Sequence, residues 1–416
     1  MHRRILIVLL AALGYCWNSA AGQSSADFCA AHVGTLYCLT PNLYANPTPD
    51  PFTAVLSTLG SQLGMVPLAS PASGIVYSTD PSLKIPVATG TETFGPVLVE
   101  RGETLGARKL FVAFTYQHFS FSSSDGVNLK NIPILFNVCD PNNGQCAPIA
   151  TINRIEPTIN QFAFFGTYGI ASRVDVSIAV PLINSGLTAA ATSCTAPYCQ
   201  TPIFSNQQQI VFTPTQVSGS TTGIGDVVLR AKSQVLRAEK IRLAAGVDLR
   251  FASGDALNFH GTGATGVRPF VAISRTGKIA PHANVAYQWN GDSIIGSAVP
   301  GTKGKLPDNF FYDGGADWAV AKKLTIAGDV FGEYVYQALR LQYVRVTPQP
   351  TITVPTPVPV TSVAISRGSF PTLQGTIGFK VEPWKQLLIT GNLLLSFSHN
   401  GLRNQPVPLV GVSYTF

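Results

Sequence analysis

The last eight residues, LVGVSYTF (409–416), decide the fold because they alternate strictly between two kinds of side chain. In a strand, where successive side chains point to opposite faces, one face is apolar and consists of Val410, Val412, Tyr414 and Phe416. The terminal residues of most domains are poorly ordered unless something ties them down. The ending therefore predicts a final strand whose terminus is itself buried or recognised.

The first 22 residues have the layout of a secretory signal peptide. MHRR is positively charged, ILIVLLAALGYCW is apolar, and NSAAG supplies small residues for cleavage. The apolar run is shorter than the ~20 residues that a spanning helix needs. We therefore expect export and removal of residues 1–22.

The composition suits neither a soluble protein nor a helical membrane protein. Hydrophobic residues make up 45% of the chain and charged residues only 12%, whereas about 25% is usual in globular proteins. No later apolar stretch approaches spanning length. The net charge of +7, which falls to +5 without Arg3 and Arg4, is too small and dispersed for a nucleic-acid partner.

From residue 109 onward, the alternation recurs in segments that exceed the five or six residues typical of globular strands. These predict twelve strands, at 109–120, 158–168, 173–183, 224–236, 240–251, 267–275, 279–289, 309–320, 323–335, 371–381, 387–398 and 407–416.

Short and long connections alternate between these strands. The long ones are 121–157, 184–223, 252–266, 290–308, 336–370 and 399–406. Short turns on one side and long loops on the other are typical of outer-membrane barrels, whose strand number is even in bacteria. The predicted fold class is all-β, a transmembrane antiparallel β-barrel of about twelve strands over residues 109–416. Its partners would be outer-membrane lipid and the barrel-assembly machinery, for which Tyr414 and Phe416 form the candidate assembly signal.

Six cysteines remain beyond the signal peptide, in three close pairs within segments rich in turn residues. Because exported proteins meet an oxidising environment, we expect local disulfides that staple loops. The candidates are Cys29, Cys38, Cys139, Cys146, Cys194 and Cys199.

The polar face of the predicted strands carries charges of both signs, which implies a lumen that is hydrated, internally paired, or both. Each charge is open to two interpretations, a selectivity surface or a paired scaffold. The candidate lumen-facing residues are Arg173, Asp175, Asp226, Arg230, Lys232, Arg242, Asp248, Arg250, Arg268, His282, Asp313, Asp317, Asp329, Glu333 and Lys380.

Residues 23–108, here called the leader, do not follow the strand pattern. Asp50 as N-cap, Pro51 and the stop at Gly64 predict one short amphipathic helix. The leader either folds into the lumen as a plug or hangs in the periplasm. We expect the plug, because its apolar residues need cover; the candidates are Phe52, Leu56, Leu59 and Leu63. Inward charges of the barrel would then pair with Glu100, Arg101, Glu103 and Arg108.

Motifs for catalysis or cofactor binding are nearly absent. GTGATG (261–266) matches G-x-G-x-x-G but leads into a strand rather than a helix, so it does not predict dinucleotide binding. G-x-S-x-G and H-E-x-x-H do not occur. We expect no catalytic residues, no metal and no cofactor. A membrane-embedded hydrolase using one of the scattered histidines His118, His260, His282 and His399 stays open as an alternative.

Four stretches resemble a known family, namely 94–121, 168–183, 223–236 and 246–291, the last reading GVDLRFASGDALNFHGTGATGVRPFVAISRTGKIAPHANVAYQWNG. They look like the predicted outer-membrane transporters named for the meta-pathway of phenol degradation. The resemblance implies a channel for passive uptake of small solutes, with aromatic or hydrophobic compounds as suggested cargo. A structural or adhesive surface barrel is the other alternative. Oligomeric state is not assigned.

Overall fold

The computed structural model describes residues 25–39, 51–68, 77–79, 86–88, 93–140, 142–201, 209, 211–351 and 354–416. Its main feature is a closed antiparallel barrel of 12 strands. The barrel strands are β1 (Leu110–Ser124), β2 (Cys146–Ala171), β3 (Val174–Cys194), β4 (Val228–Arg237), β5 (Ile241–Arg250), β6 (Gly266–Arg275), β7 (Ile279–Asn290), β8 (Asp308–Ala321), β9 (Leu324–Val346), β10 (Val360–Trp384), β11 (Leu387–Ser396) and β12 (Val407–Thr415).

Shorter elements complete the described chain. The leader contains two helices, α1 (Ser25–Ala31) and α2 (Pro51–Leu63), and single 3-10 turns occur at Leu36–Cys38, Ala256–Asn258 and Ile294–Gly296. The short strands are Tyr77–Thr79, Pro86–Ala88, Val127–Asn128, Ile132–Cys139, Thr215–Ile224, Asp292–Ser293, Gly304–Lys305 and Leu402–Asn404. The expected signal peptide 1–22 and the expected N-cap Asp50 lie outside the described residues.

The barrel closes between its last and first strands. In this seam Val412 pairs with Phe114, and the ladder continues past β12 because the Phe416 N–H donates to the Leu110 carbonyl at 2.7 Å. All other neighbours pair in sequence order. Closure is required in lipid, where an unpaired backbone edge would find no water to bond. The predicted fold class and the predicted twelve strands are confirmed.

Four strands are longer than predicted at the end where the long loops begin. β2 begins at Cys146 instead of 158, β3 ends at Cys194 instead of 183, and β9 and β10 extend to Val346 and back to Val360. The expected loops 121–157, 184–223 and 336–370 are therefore largely hairpins. Above the membrane neither face of a strand meets lipid, so no apolar alternation is needed there and the sequence pattern fades.

Three disulfides connect near neighbours in the chain, as expected. Cys29–Cys38 joins α1 to the following 3-10 turn. Cys139–Cys146 closes the tip of the hairpin formed by Ile132–Cys139 and β2. Cys194–Cys199 links the last residue of β3 to the segment that follows it. Both barrel disulfides lie on the long-loop side, which in outer-membrane barrels is the extracellular side.

The outer surface of the barrel is an apolar band between two rows of aromatic side chains. Exposed aliphatic residues in the band include Ile178, Ile273, Val330 and Ile377. Towards the short turns the surface carries Tyr168, Trp318, Trp384 and Phe416, and at the other end it carries Trp289, Phe310, Tyr334 and Tyr336. An apolar belt with two aromatic girdles is the lipid-facing surface of an outer-membrane barrel.

Among the described residues, no helix is both long and apolar enough to cross a membrane.

Deleting Phe416 is expected to impair assembly, because it removes a backbone pairing with Leu110 and the candidate assembly signal together. The measurement is the mobility difference between unheated and boiled samples on a denaturing gel, which reports closed barrels. Phe397→Ala is the matched control, since Phe397 is also an exposed aromatic but lies beyond the other end of β11. Equal folding yields for the two variants would contradict a role for the C-terminus.

Candidate functional site

The described N-terminal parts of the leader pack at the extracellular end of the barrel interior. Leu56 and Leu59 of α2 are completely buried, and Leu63 is 2% exposed. They join a core that includes Phe259 and Ile295 from extracellular loops. Phe52 lies in the first turn of this helix. The three described plug candidates thus contact barrel loops and wall, not solvent.

The disulfide-linked part of the leader is fixed to the same end. The Tyr37 hydroxyl lies 2.7 Å from the Ser57 hydroxyl of α2, and Tyr37 is fully buried. The Leu36 N–H donates to the Asn258 side-chain oxygen at 3.1 Å. Residues 25–39 are therefore held against both α2 and the loop between β5 and β6.

Residues 93–105 of the leader cross the opposite, periplasmic end of the lumen. Lys380, which is 1% exposed, donates to the carbonyls of Pro96 at 2.6 Å and Phe94 at 3.2 Å. The Leu105 N–H donates to the Asp175 carboxylate at 2.7 Å. Backbone groups of the leader thus satisfy inward polar side chains that would otherwise be buried without partners.

A chain of alternating charges links this segment to the wall. Glu100 of the leader accepts from Lys232 at 2.9 Å and from Arg230, which in turn forms a bidentate pair with Asp248 at 2.6 and 2.9 Å. Asp248 also accepts from Arg268 at 2.5 Å. We call these five residues the charge chain. All except Arg268 have side chains less than a tenth exposed, so removing one member leaves a buried charge uncompensated.

The other three charged leader residues that were predicted to pair with inward charges, Arg101, Glu103 and Arg108, lie in different environments. Glu103 accepts from the Ser274 hydroxyl at 2.6 Å. Arg101 is 5% exposed. Arg108 has a left-handed backbone, with φ of 62°, and its N–H donates to the Gly169 carbonyl at 2.7 Å.

His282 lies between two carboxylates on the inner wall. Its Nε2 is 2.7 Å from Asp329, and its Nδ1 is 3.7 Å from Asp317. Asp329 also accepts from the Thr376 hydroxyl at 3.3 Å. This group is a paired scaffold joining β7, β8, β9 and β10.

Asp226 lies in an interruption of the wall instead of on a regular strand. Thr215–Ile224 and β4 both pair with β3, and residues 225–227 separate them. The Asp226 carboxylate accepts from the Thr262 N–H at 2.8 Å and the Gly254 N–H at 3.0 Å. A Cβ on Gly261 would collide with this carboxylate. The GTGATG motif is thus a tight turn that holds Asp226, and it leads into β6 as expected.

Two predicted lumen residues lie at the periplasmic rim. Arg173 is exposed in the short turn between β2 and β3, so its predicted lumen position is wrong. The alternation cannot be extended back from Val174, because the strand starts there. Arg242 is partly exposed, and its guanidinium donates to the carbonyls of Ala238 and Glu239 in the turn before β5 and to that of Ile241, the first residue of β5, at 3.1 Å.

A cavity of about 250 Å³, here called the chamber, lies in the middle of the lumen between the two parts of the leader. One side of it holds Arg230, Arg250 and Arg268. Arg250 donates to Asn290 at 2.6 Å and lies 3.6 Å from Asp226. A neighbouring part of the lining, on β8 and β9, holds the predicted residues Asp313 and Glu333.

The chamber also contains residues that the sequence analysis missed. Phenylalanine rings point inward at Phe165, Phe270, Phe311 and Phe331, and amide side chains line it at Gln161, Asn284, Gln288, Asn309 and Gln374. The amides occupy polar positions of the predicted strands and could have been found by the same alternation. The inward position of the phenylalanines could not be predicted from the alternation, because the alternation assigns polar residues to the inner face and apolar residues to the outer face.

The histidines that left the hydrolase alternative open have other partners. His118 lies 2.8 Å from Asn160, His260 lies 3.1 Å from the Thr221 hydroxyl, and His399 lies 3.4 Å from Arg403. In the described chain, none of the four predicted histidines contacts a serine hydroxyl, and no group of three His, Cys, Asp or Glu residues is arranged to hold a metal ion.

Residues 146–341 match the family described as the MetA-pathway of phenol degradation, a little under half of the chain. The predicted resemblance is confirmed over these residues. No curated protein matches the sequence.

Several solved structures are similar to this chain. An outer membrane channel from Pseudomonas putida F1 is 14% identical with a TM-score of 0.47, covering 76% of this chain and 100% of that chain. The NanC porin is 8% identical with a TM-score of 0.38, covering 73% and 98%. A FadL homologue from Pseudomonas aeruginosa is 8% identical with a TM-score of 0.33, covering 83% and 96%. Similarity at this level carries no functional information about the present chain.

Replacing Glu100 with Gln is expected to destabilise the protein by about 3–5 kcal/mol, because Lys232 and Arg230 lose a buried counter-charge. Glu156→Gln is the matched control: Glu156 pairs with Lys130 at 3.6 Å near the surface, and its loss should cost under about 1 kcal/mol. Urea titration in lipid vesicles, followed by tryptophan fluorescence, measures both. Equal effects would show that the charge chain contributes no more than a surface pair.

Proposed function

We propose that this outer-membrane barrel is a channel for passive uptake of small molecules and that the leader is its plug. The observation that carries the proposal is the chamber, a space inside the lumen lined by charged, amide and phenylalanine side chains, with α2 on its extracellular side and residues 93–105 on its periplasmic side. A barrel with a purely structural or adhesive role would not require a cavity inside its lumen.

The size of the chamber supports small cargo. Ligand pockets for drug-sized molecules typically measure about 300–1,000 Å³, so 250 Å³ lies just below that range. An apolar cavity of about 150 Å³ is enough to bind benzene. A single-ring compound with one or two substituents therefore fits, and a disaccharide does not.

The lining supports aromatic or partly hydrophobic cargo. Phe165, Phe270, Phe311 and Phe331 present ring surfaces to the chamber, where stacked and edge-on contacts favour another ring. The polar groups between them keep the space wetted, so a solute exchanges water contacts for protein contacts as it enters.

Movement of the leader is part of the proposal, because its described segments lie at both ends of the chamber. The contacts of residues 93–105 with Lys380 and Asp175 are hydrogen bonds to charged groups, each with a net stability contribution of about 1.5–3 kcal/mol. A solute that competes for some of them shifts the leader between positions by its differential affinity for the two.

Liposome swelling tests transport directly. Liposomes containing the purified full-length protein should swell in isotonic solutions of small sugars and of single-ring phenols, with faster swelling for the phenols, and should exclude disaccharides. Protein-free liposomes are the control for leakage through lipid. Swelling no faster than in protein-free liposomes would overturn the channel and favour the structural or adhesive alternative.

Deleting residues 25–98 should give a folded barrel with a larger single-channel conductance in planar bilayers. The deletion removes α2 and the contacts of Lys380 but keeps Glu100, so the charge chain stays complete. Heat-dependent gel mobility confirms that the barrel has folded. Conductance equal to that of the full-length protein would show that the leader does not obstruct the pore.

A further inference from the structure

The two sides of the chamber differ in how far their charges are compensated. On the basic side Arg230 and Arg268 bind Asp248, and Arg250 is placed beside Asp226. On the acidic side, in the part of the chain that the structure describes, no lysine, arginine or histidine nitrogen lies within 4.0 Å of Asp313 or Glu333. The carboxylates on β8 and β9 therefore have no direct ion pair in the described chain, and the guanidinium of Arg268, 5.4 Å from the centre of the Phe311 ring, is the cation of the basic side that stands nearest to them.

Two buried amides beside these carboxylates, Asn284 on β7 and Asn309 on β8, present oxygen atoms without hydrogen-bond partners. The Asn284 amide nitrogen donates to the Asp313 carboxylate and to the Glu100 carbonyl, both at 2.7 Å, and the Asn309 amide nitrogen donates to Glu333 at 3.0 Å. Those acceptors require the nitrogen, so the amide orientation is fixed and each Oδ1 faces away. Both Oδ1 atoms are buried and make no hydrogen bond, and the residues are only 7% and 2% exposed.

The register of β8 and β9 arranges carboxylates and rings as a four-residue square. Asp313 pairs with Phe331 and Phe311 pairs with Glu333, so each carboxylate has a ring beside it and the two carboxylates lie on a diagonal. Diagonal neighbours across an antiparallel pair are about 7–8 Å apart, and directly paired ones about 5 Å. One ammonium group can hydrogen bond to both carboxylates across that diagonal while a ring attached to it contacts Phe331. One face of Phe311 is already covered by the Arg268 guanidinium, 5.4 Å from the ring centre.

We propose that this square, together with the free oxygens of Asn284 and Asn309, binds the ammonium group of a small aromatic amine. Buried carboxylates and amide oxygens without donors are costly to desolvate. A primary ammonium supplies three donors and a positive charge, and phenyl rings stabilise a nearby cation through their negative faces. A carboxylate or a phenolate would meet unpaired acceptors here and be rejected.

This site rests on the proposed channel function and specifies its cargo. It also touches the plug, because Asn284 donates to both Asp313 and the main-chain carbonyl of Glu100. A cation that binds Asp313 competes with one of the bonds that position the leader.

Block of single-channel current by three probes of one ring size, benzylammonium, benzyl alcohol and benzoate, tests the site in full-length protein. Benzylammonium should block at the lowest concentration, and benzoate should not block. Glu333→Gln and Asp313→Asn should each raise the half-blocking concentration of benzylammonium about tenfold, as expected for the loss of a charge-assisted hydrogen bond. Glu239→Gln, in the exposed turn between β4 and β5, is the matched control and should leave it unchanged.

Phe331→Leu removes a ring of the square, leaves both carboxylates in place and should weaken benzylammonium block, which keeps the test informative if a neutralised variant folds poorly. Equal block by benzyl alcohol, stronger block by benzoate, or unchanged block in all three chamber variants would overturn the amine site. Swelling with small sugars is measured on the same preparations. Swelling without discrimination among the probes rejects the site alone, whereas absence of swelling rejects the channel itself.

Discussion

In lipid, every backbone N–H and C=O must be bonded within the protein, and this requirement governs the rest of the structure. It is met where β12 pairs with β1 and Phe416 bonds to Leu110. Once the ring is closed, the alternation along each strand sorts side chains into an apolar outer belt and a polar inner surface. The charge chain, the His282 group and the chamber all exist because the inner surface is enclosed and has to pair its own charges.

The leader provides many of those partners, so barrel and leader form one polar network. Lys232 and Arg230 lie on β4, yet their shared counter-charge is Glu100, more than a hundred residues earlier. Lys380 binds only leader carbonyls among its described hydrogen bonds. The inner surface thus carries groups whose cost of burial is offset by a segment outside the barrel sequence. Asp313 and Glu333 differ, since no lysine, arginine or histidine among the described residues forms an ion pair with them.

The sequence was sufficient for features that depend on alternation and turn chemistry. It predicted the strand number, the short turns, the local disulfides and the inward side of Asp175, Arg230, Asp248 and Lys380, because lipid outside and water inside impose a period of two. It failed for the extension of β9 to Val346, where no lipid contact enforces the pattern, and for Arg173, where a turn replaces the strand. The sequence predicted that Glu100 of the leader pairs with inward charges of the barrel, but not which charges these are. Alternation tells which side of the wall Asp248 faces, but only the register and the path of the leader decide that Arg230 and Arg268 meet it there.

The path of the leader has a consequence for the order of folding. Residues 25–39, tied by Cys29–Cys38, pack at the extracellular end, while Leu110 begins β1 at the periplasmic end. The described parts of the leader therefore lie at both ends of the lumen of the barrel that follows them in the chain. In one route, β12 pairs with β1 after the leader is already in place. In the other, residues 25–39, which are cross-linked by Cys29–Cys38, must pass through a barrel that has already closed. The first route makes the leader a template on which the inner surface forms, and it makes closure of the wall the last step instead of the first.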